Sequence, residues 1–150
     1  MDSTIIEKAK DEELPQVLAL LEKSGLPEAG LEDHVETLLV VRQAGRVVGS
    51  AGLEMYGGVA LLRSVATAPS LRGQGLGRNL TLAALDLAQE NGVNKAYLLT
   101  ETTEKFFRRF GFVPIERSVV PAAVKTSVEF TGACPDTAVA MELSLPPAPA

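Results

Sequence analysis

The order of apolar and polar positions cuts this chain into short segments with sharp stops. Residues 4–9 form a brief β-type run, and Asp11 stands where a helix N-cap is wanted. Glu12 and Glu13 follow in the first turn, where the helix dipole favours them, and Pro15 is tolerated there. Leu14, Val17, Leu18 and Leu21 recur at helical spacing until Gly25 and Pro27 stop the helix. Residues 28–36, with Leu31 and Val35, predict a second, shorter helix. A β-rich run over 37–42 meets Ala44-Gly45, which turns it into 46–56. Gly57-Gly58 turns that strand into 59–67, so the three runs predict an antiparallel meander.

A long helical pattern follows, with Leu76, Leu80, Ala83, Ala84, Leu87 and Ala88 on one broad face and Gly92 placed as its C-terminal cap. Residues 94–100 read as a strand, and strand, helix, strand in that order implies a parallel pair with a right-handed crossover. Thr102 or Thr103 caps a short helix that Gly111 ends. Residues 112–120 predict a strand broken by Pro114, 121–130 a helical turn or two, and 137–145 a final strand. The expectation is one α/β (α+β) domain over 1–145, then a Pro/Ala tail over 146–150 with no reason to order.

Composition narrows the function. The 150 residues are 46% hydrophobic and 22% charged, as in an ordinary soluble domain. A net charge of -5 argues against a nucleic-acid partner, which calls for a basic stripe. Cys134 is the only cysteine and His34 the only histidine, which disfavours a disulfide framework, a zinc site or a Ser-His-Asp triad. The first residues lack the basic and apolar regions of a signal peptide, and no apolar run is long enough for a membrane. A cytoplasmic location, a small-molecule partner and no resident metal are expected.

One stretch asks for a ligand. Gly73, Gly75 and Gly77 alternate between Arg72 and Arg78, after a strand and at the start of a helix. Backbone N–H groups there crowd together without Cβ atoms, and the helix start adds unpaired donors and a positive dipole end. That combination suits a phosphate or pyrophosphate; a plain tight turn is the alternative.

The run Val65-Ala66-Thr67-Ala68-Pro69 into Leu71-Arg72-Gly73-Gln74-Gly75-Leu76-Gly77-Arg78 resembles the acyl-CoA signature of the GCN5-related N-acetyltransferase superfamily. That signature is an Arg or Gln, two residues, Gly, one residue, then Gly or Ala. Phe106-Phe107-Arg108-Arg109-Phe110-Gly111-Phe112 is similar to the same family's aromatic segment ending in Gly-Phe. Leu98 to Thr103, Val120-Pro121 and Glu129-Phe130 resemble amino-acid acetyltransferases such as acetylglutamate synthases. With Leu61-Leu62-Arg63-Ser64 and Cys134-Pro135 added, the pattern is similar to arsenic-resistance N-acetyltransferases. The resemblance implies a mixed sheet of about seven strands, an antiparallel N-terminal meander joined to a splayed parallel pair, and flanking helices. It also implies acetyl-CoA as cofactor, a small amino-acid-like amine as acceptor, and room for a homodimer.

The same resemblance distributes roles. Backbone N–H groups from Gln74 to Arg78, including Gly75, Leu76 and Gly77, would receive the pyrophosphate, with Gly73 shaping the loop and Arg72 and Arg78 adding charge. Val65, Ala66 and Thr67 would pair with the pantetheine arm, and an N–H near Val65 would polarise the thioester carbonyl. Many relatives carry a proton-donating Tyr where this chain has Phe107, so the leaving thiolate needs another donor or none; Tyr56 and Tyr97 are the spare hydroxyls. Glu54 is the candidate base, against an exposed strand-end carboxylate. Arg63, a cation inside an apolar strand, needs a partner: a substrate carboxylate, or an internal salt bridge. Ser64 either hydrogen-bonds the amine or simply satisfies backbone, and Thr100, Glu101 and Thr102 border the same cleft. Cys134 reads as a buried apolar residue rather than a catalytic one, and His34 as a solvated histidine.

Overall fold

Seven strands of this computed structural model, which describes residues 5–135 and 137–147, join in one open sheet. In chain order they are Ile6–Lys8 (β1), Leu38–Gln43 (β2), Arg46–Tyr56 (β3), Val59–Thr67 (β4), Lys95–Thr100 (β5), Val113–Ile115 (β6) and Val139–Ser144 (β7). Across the sheet the order is β1-β2-β3-β4-β5-β7-β6. Every neighbour is antiparallel except β4 and β5, which run parallel. That parallel pairing is short: Val59 meets Lys95, Ala60 meets Ala96, Leu61 meets Tyr97, and there it stops. β4 continues to Thr67 beside β3, and β5 continues to Thr100 beside β7, so the sheet opens between them.

Both faces of the sheet are covered, which is why its central strands are apolar on both sides. Helix Leu76–Glu90 (α2) lays Leu80, Ala84, Leu85 and Ala88 against Leu53, Ala60, Leu62 and Ala96. Phe107, on helix Glu104–Arg108 (α3), and Phe112 join that core, their rings edge to face at 5.9 Å. On the opposite face helix Leu14–Lys23 (α1) buries Val17, Leu20 and Leu21 against Leu38, Val40 and Ala66. Helix Ala122–Lys125 (α4) places Val124 over Leu61, Tyr97 and Ala140. Each such side chain, fully buried, contributes about 1.5–3 kcal/mol.

The meander and the crossover appear where the pattern predicts them; four boundaries differ. A 3-10 turn, Asp11–Glu13, precedes α1, and the cap is Lys10 rather than Asp11. The reason is that Glu13 turns inward, accepting the Lys10 N–H at 2.8 Å and meeting Arg42 Nε at 2.5 Å. The expected helix at 28–36 is instead a 3-10 segment, Leu31–Thr37, kinked at His34. It enters from Gly30 at φ +80, where a Cβ would lie 2.7 Å from Val128 Cγ1, so glycine is needed for this close approach. The strand expected at 112–120 pairs only over Val113–Ile115 and gives way to a 3-10 turn, Arg117–Val119. Pro114 has no N–H to donate and is confined to this edge strand. The helical turns expected at 121–130 are α4 followed by a wide turn, Glu129–Ala133. Of the expected tail, Pro146 accepts a hydrogen bond from Gln89 at 2.8 Å, and 148–150 lie outside the described residues, as does Thr4.

Candidate active site

The parting of β4 from β5 creates a cavity of about 620 Å³. Its walls are the second half of β4 (Leu62 to Thr67), the end of β5 with the turn after it (Leu98 to Thr103), and the loop Ser24 to Pro27 beyond α1. Phe106, Phe107, Cys134 and Ala138 close its sides, and Arg72 and Gly77 stand at the glycine-loop end.

A bulge shapes the β4 wall. Ser50 pairs with Ala66 and Gly52 with Arg63, so Ser64 and Val65 together face the single residue Ala51. Ser64 adopts φ +60, a left-handed conformation unusual for a residue with a side chain. Two buried contacts hold it there. The Ser50 hydroxyl donates to the Ser64 carbonyl at 2.7 Å, and Arg63 Nε donates to Ser64 Oγ at 3.1 Å. The two-against-one count removes the bulge from the regular ladder, at the wall of the cavity.

The glycine loop ends at the N-terminus of the 15-residue α2. Gly73 and Gly75 sit at φ +82 and +83, and a Cβ on either would meet no described atom within 4 Å. The loop therefore needs glycine for its backbone, and its face is open. A Cβ at Gly77 would touch Phe106 at 3.6 Å. Arg72 is exposed at the cavity mouth, and Arg78 is exposed on the first turn of α2. Leu76 packs against the α2 core.

Behind the bulge lies a buried polar cluster. Arg63 has a fully covered side chain. Its Nη1 donates to Glu54 Oε2 at 2.8 Å, its Nη2 to the Pro27 carbonyl at 3.2 Å, and its Nε lies 3.3 Å from Glu129 Oε2. Of the two openings for Arg63, the structure thus shows an internal salt bridge. Glu54 is 1% exposed rather than at an open strand end, and it does not line the cavity. Tyr56 donates its hydroxyl to Glu54 Oε1, and His34 Nε2 lies 3.7 Å from the same oxygen. Burial works to raise the Glu54 pKa, but hydrogen bonds from Tyr56, Arg63 and Ser127 leave it below the ordinary carboxylate value. Burial and the Glu54 charge push the Tyr56 hydroxyl up to about 12.

The structure brings Arg63, Ser64, Val65, Ala66, Thr67, Arg72, Gly77, Thr100, Glu101 and Phe107 to one cavity, with the Arg63 guanidinium turned into the buried cluster behind it. It places Gly73, Gln74 and Gly75 exposed beside it, and Glu54 behind its wall. The residue spacing gave no sign of the bulge, because Ser64 is not the glycine that a positive φ usually requires. It also gave no role to Glu129, which is 3% exposed, or to Cys134, which lines the cavity. Burial first, and then the Glu129 charge, push the Cys134 thiol up to about 12.

Comparison with known proteins matches this geometry to a family. A sequence model of the acetyltransferase (GNAT) family matches residues 4–112. An uncharacterized N-acetyltransferase of Chlorobaculum tepidum is 31% identical over 93 residues, covering 61% of this chain and 59% of the relative. An amino-acid acetyltransferase of Mycobacterium tuberculosis is 35% identical over 81 residues, covering 53% of this chain and 46% of that one. The chain thus spans about half the length of the curated relatives it matches. Among solved structures, the N-acetylglutamate synthase of Neisseria gonorrhoeae, complexed with coenzyme A and N-acetyl-glutamate, superposes with a TM-score of 0.82 at 20% identity. That match covers 97% of this chain and 36% of the synthase.

Proposed function

This chain belongs to the acetyltransferase (GNAT) family, and from that premise we propose that it transfers acetyl from acetyl-CoA to the primary amine of a small, amino-acid-like molecule. The observation that carries the reading is a single cavity with a bulged strand on its wall and an open glycine loop at its mouth. A pyrophosphate fits the loop: Gly73 and Gly75 leave open space in front of donors at a helix N-terminus, and Arg72 and Arg78 supply charge. The second half of β4, released from pairing with β5, offers its edge to the pantetheine arm along Val65, Ala66 and Thr67.

In this reading the bulge directs a backbone donor near Val65 at the thioester carbonyl. Such a donor stabilises the oxyanion by roughly 3 kcal/mol. Arg63 fixes the bulge through Ser64 rather than meeting substrate directly. Thr100 and Glu101 border the acceptor end, where Glu101 favours a positively charged amine. Phe107 fills the side wall and has no proton to give, so the thiolate leaves without help from that position. The amino-acid acetyltransferase among the relatives supports an amino-acid-like acceptor. A role in arsenic resistance rests on the subgroup resemblance.

Phe107 favours a second reading, an acyl-CoA-binding sensor without turnover. A thiol-release assay separates the two. Acetyl-CoA is supplied with glycine, L-alanine, L-methionine, L-glutamate and an amino-acid-like organoarsenical, and CoA binding is measured by calorimetry. Release that depends on an amine supports the transferase. Binding without release across the panel supports the sensor, and absence of binding removes both.

A further inference from the structure

Among the described residues, the charged ones that line the cavity are Arg63, Arg72 and Glu101. The Arg63 guanidinium is turned away, into the buried cluster with Glu54 and Glu129. Arg72 stands at the glycine-loop end, 3.5 Å from Ser24 Oγ, where a pyrophosphate would claim its charge. What is left to meet an acceptor is the carboxylate of Glu101. We propose that Glu101 selects acceptors that carry a second cationic group beyond the amine that is acetylated, as a diamine or a basic amino acid does; this rests on the transferase reading above.

The sheet sets Glu101 where such a group would lie. β4 and β5 pair in parallel up to Leu61 and Tyr97 and then part. Carried on at the same spacing, that register brings Thr100 level with Ser64, and Glu101 level with Val65. Glu101 therefore stands across the opening from the bulge. The turn that carries it is fixed by Thr100, whose Oγ1 accepts the Thr103 N–H at 3.1 Å and lies 2.6 Å from Thr103 Oγ1. Glu101 is exposed, and no ion pair among the described residues holds its carboxylate. Its charge reaches the Cys134 thiol on the cavity's side wall.

Charge then decides which acceptors fit. A carboxylate held against the reacting nitrogen favours the ammonium form, which cannot attack a thioester. A second cation carries no such cost: pairing it with Glu101 anchors the acceptor and leaves the other nitrogen free to lose its proton. An added carboxylate meets the opposite setting, a like charge at Glu101 and no open cation to answer it. Arg117, which also acts on Cys134, is not among the lining residues. Its Nη2 donates to the Pro135 and Ala138 carbonyls at 2.7 and 3.0 Å, behind the wall.

The test compares acceptors that differ by one charge at constant chain length: L-ornithine with L-norleucine, and 1,5-diaminopentane with hexylamine. Amine-dependent thiol release gives kcat/KM for each, with L-glutamate as the acidic probe. In the parent the dication of each pair should lead by at least about 10-fold, as expected of a charge-assisted contact, and L-glutamate should be the poorest amino acid. Glu101→Gln should lower both ratios by about 10-fold. Ratios unchanged in Glu101→Gln, or L-glutamate as the preferred acceptor of the parent, overturn the proposal while leaving the transferase reading intact. A second measurement needs no turnover: calorimetric titration of the protein, saturated with CoA, with 1,5-diaminopentane. Binding at least about 10-fold tighter to the parent than to Glu101→Gln supports the proposal, and equal affinity, or binding to neither, overturns it. If no acceptor turns over in the parent, the transferase reading falls and the titration alone decides whether Glu101 holds the cation.

Discussion

Replacing Arg63 by Met tests whether its guanidinium is structural cement or a free substrate ligand. The change keeps an unbranched apolar stem and removes the guanidinium that faces both Glu54, 1% exposed, and Glu129, 3% exposed. Breaking a buried ion pair by deleting one partner costs about 3–5 kcal/mol. Protonation of a stranded carboxyl relieves part of this, which favours the lower end, about 3 kcal/mol at pH 8. For a chain of this size each kcal/mol lowers Tm by about 2–4 °C, so the expected drop is about 6–12 °C. The pH dependence has a definite sign. Without Arg63 the folded-state pKa values of both carboxyls rise, and that of Glu129, already raised by burial, climbs further above its unfolded value of about 4.3. The native state then binds more protons than the unfolded chain, and stability falls as pH rises from that value through the raised ones. The deficit must therefore be smaller at pH 5 than at pH 8. Thermal and urea unfolding, followed by circular dichroism at both pH values, measures it. A Tm at pH 8 within about 2 °C of the parent refutes the reasoning and frees Arg63 for a substrate carboxylate.

Three further outcomes follow from the same geometry. Gly75→Val forces a β-branched residue into φ +83 and fills the open loop face; CoA binding by calorimetry should fall at least about 100-fold, with the fold retained at a cost of about 1–2 kcal/mol. Glu129→Gln should gain stability relative to the parent as pH rises. The Glu129 contribution is present below about 4.5 and lost through about 7, so the gain at pH 8 over pH 5 is on the order of 2–3 kcal/mol by urea titration; a loss instead would contradict the buried charge. Cys134, with its thiol raised to about 12, should react with iodoacetamide at pH 8 at least about 100-fold more slowly than free cysteine, and equal rates would contradict its setting.

Local signals carried most of the fold. Ala44-Gly45 and Gly57-Gly58 mark the two hairpin turns, and β3 and β4 run between the residues their flanking turns imply. The helical spacing from Leu76 survives intact in α2 because its apolar face meets a sheet that needs covering. Where long-range partners decide, local signals fall short. Asp11 has the chemistry of a cap, but Glu13 is claimed by Arg42, 29 residues away, and fixes the turn one step earlier. The glycine loop was legible because its function requires the backbone freedom of glycine itself. The Arg63 cluster was only half legible. A buried cation demanded a partner, but Glu54 meets it through a diagonal register of β3 on β4, and Glu129 arrives from the wide turn after α4. The bulge at Ser64 depends on Ser50 across the sheet, which no local pattern could announce.

Amine-dependent release of CoA thiol from acetyl-CoA decides directly whether this chain is a transferase. Thiol release should require enzyme, acetyl-CoA and an amino-acid-like amine together, and should disappear in Gly75→Val. Tight CoA binding with no amine-dependent release from any acceptor in the panel would contradict it.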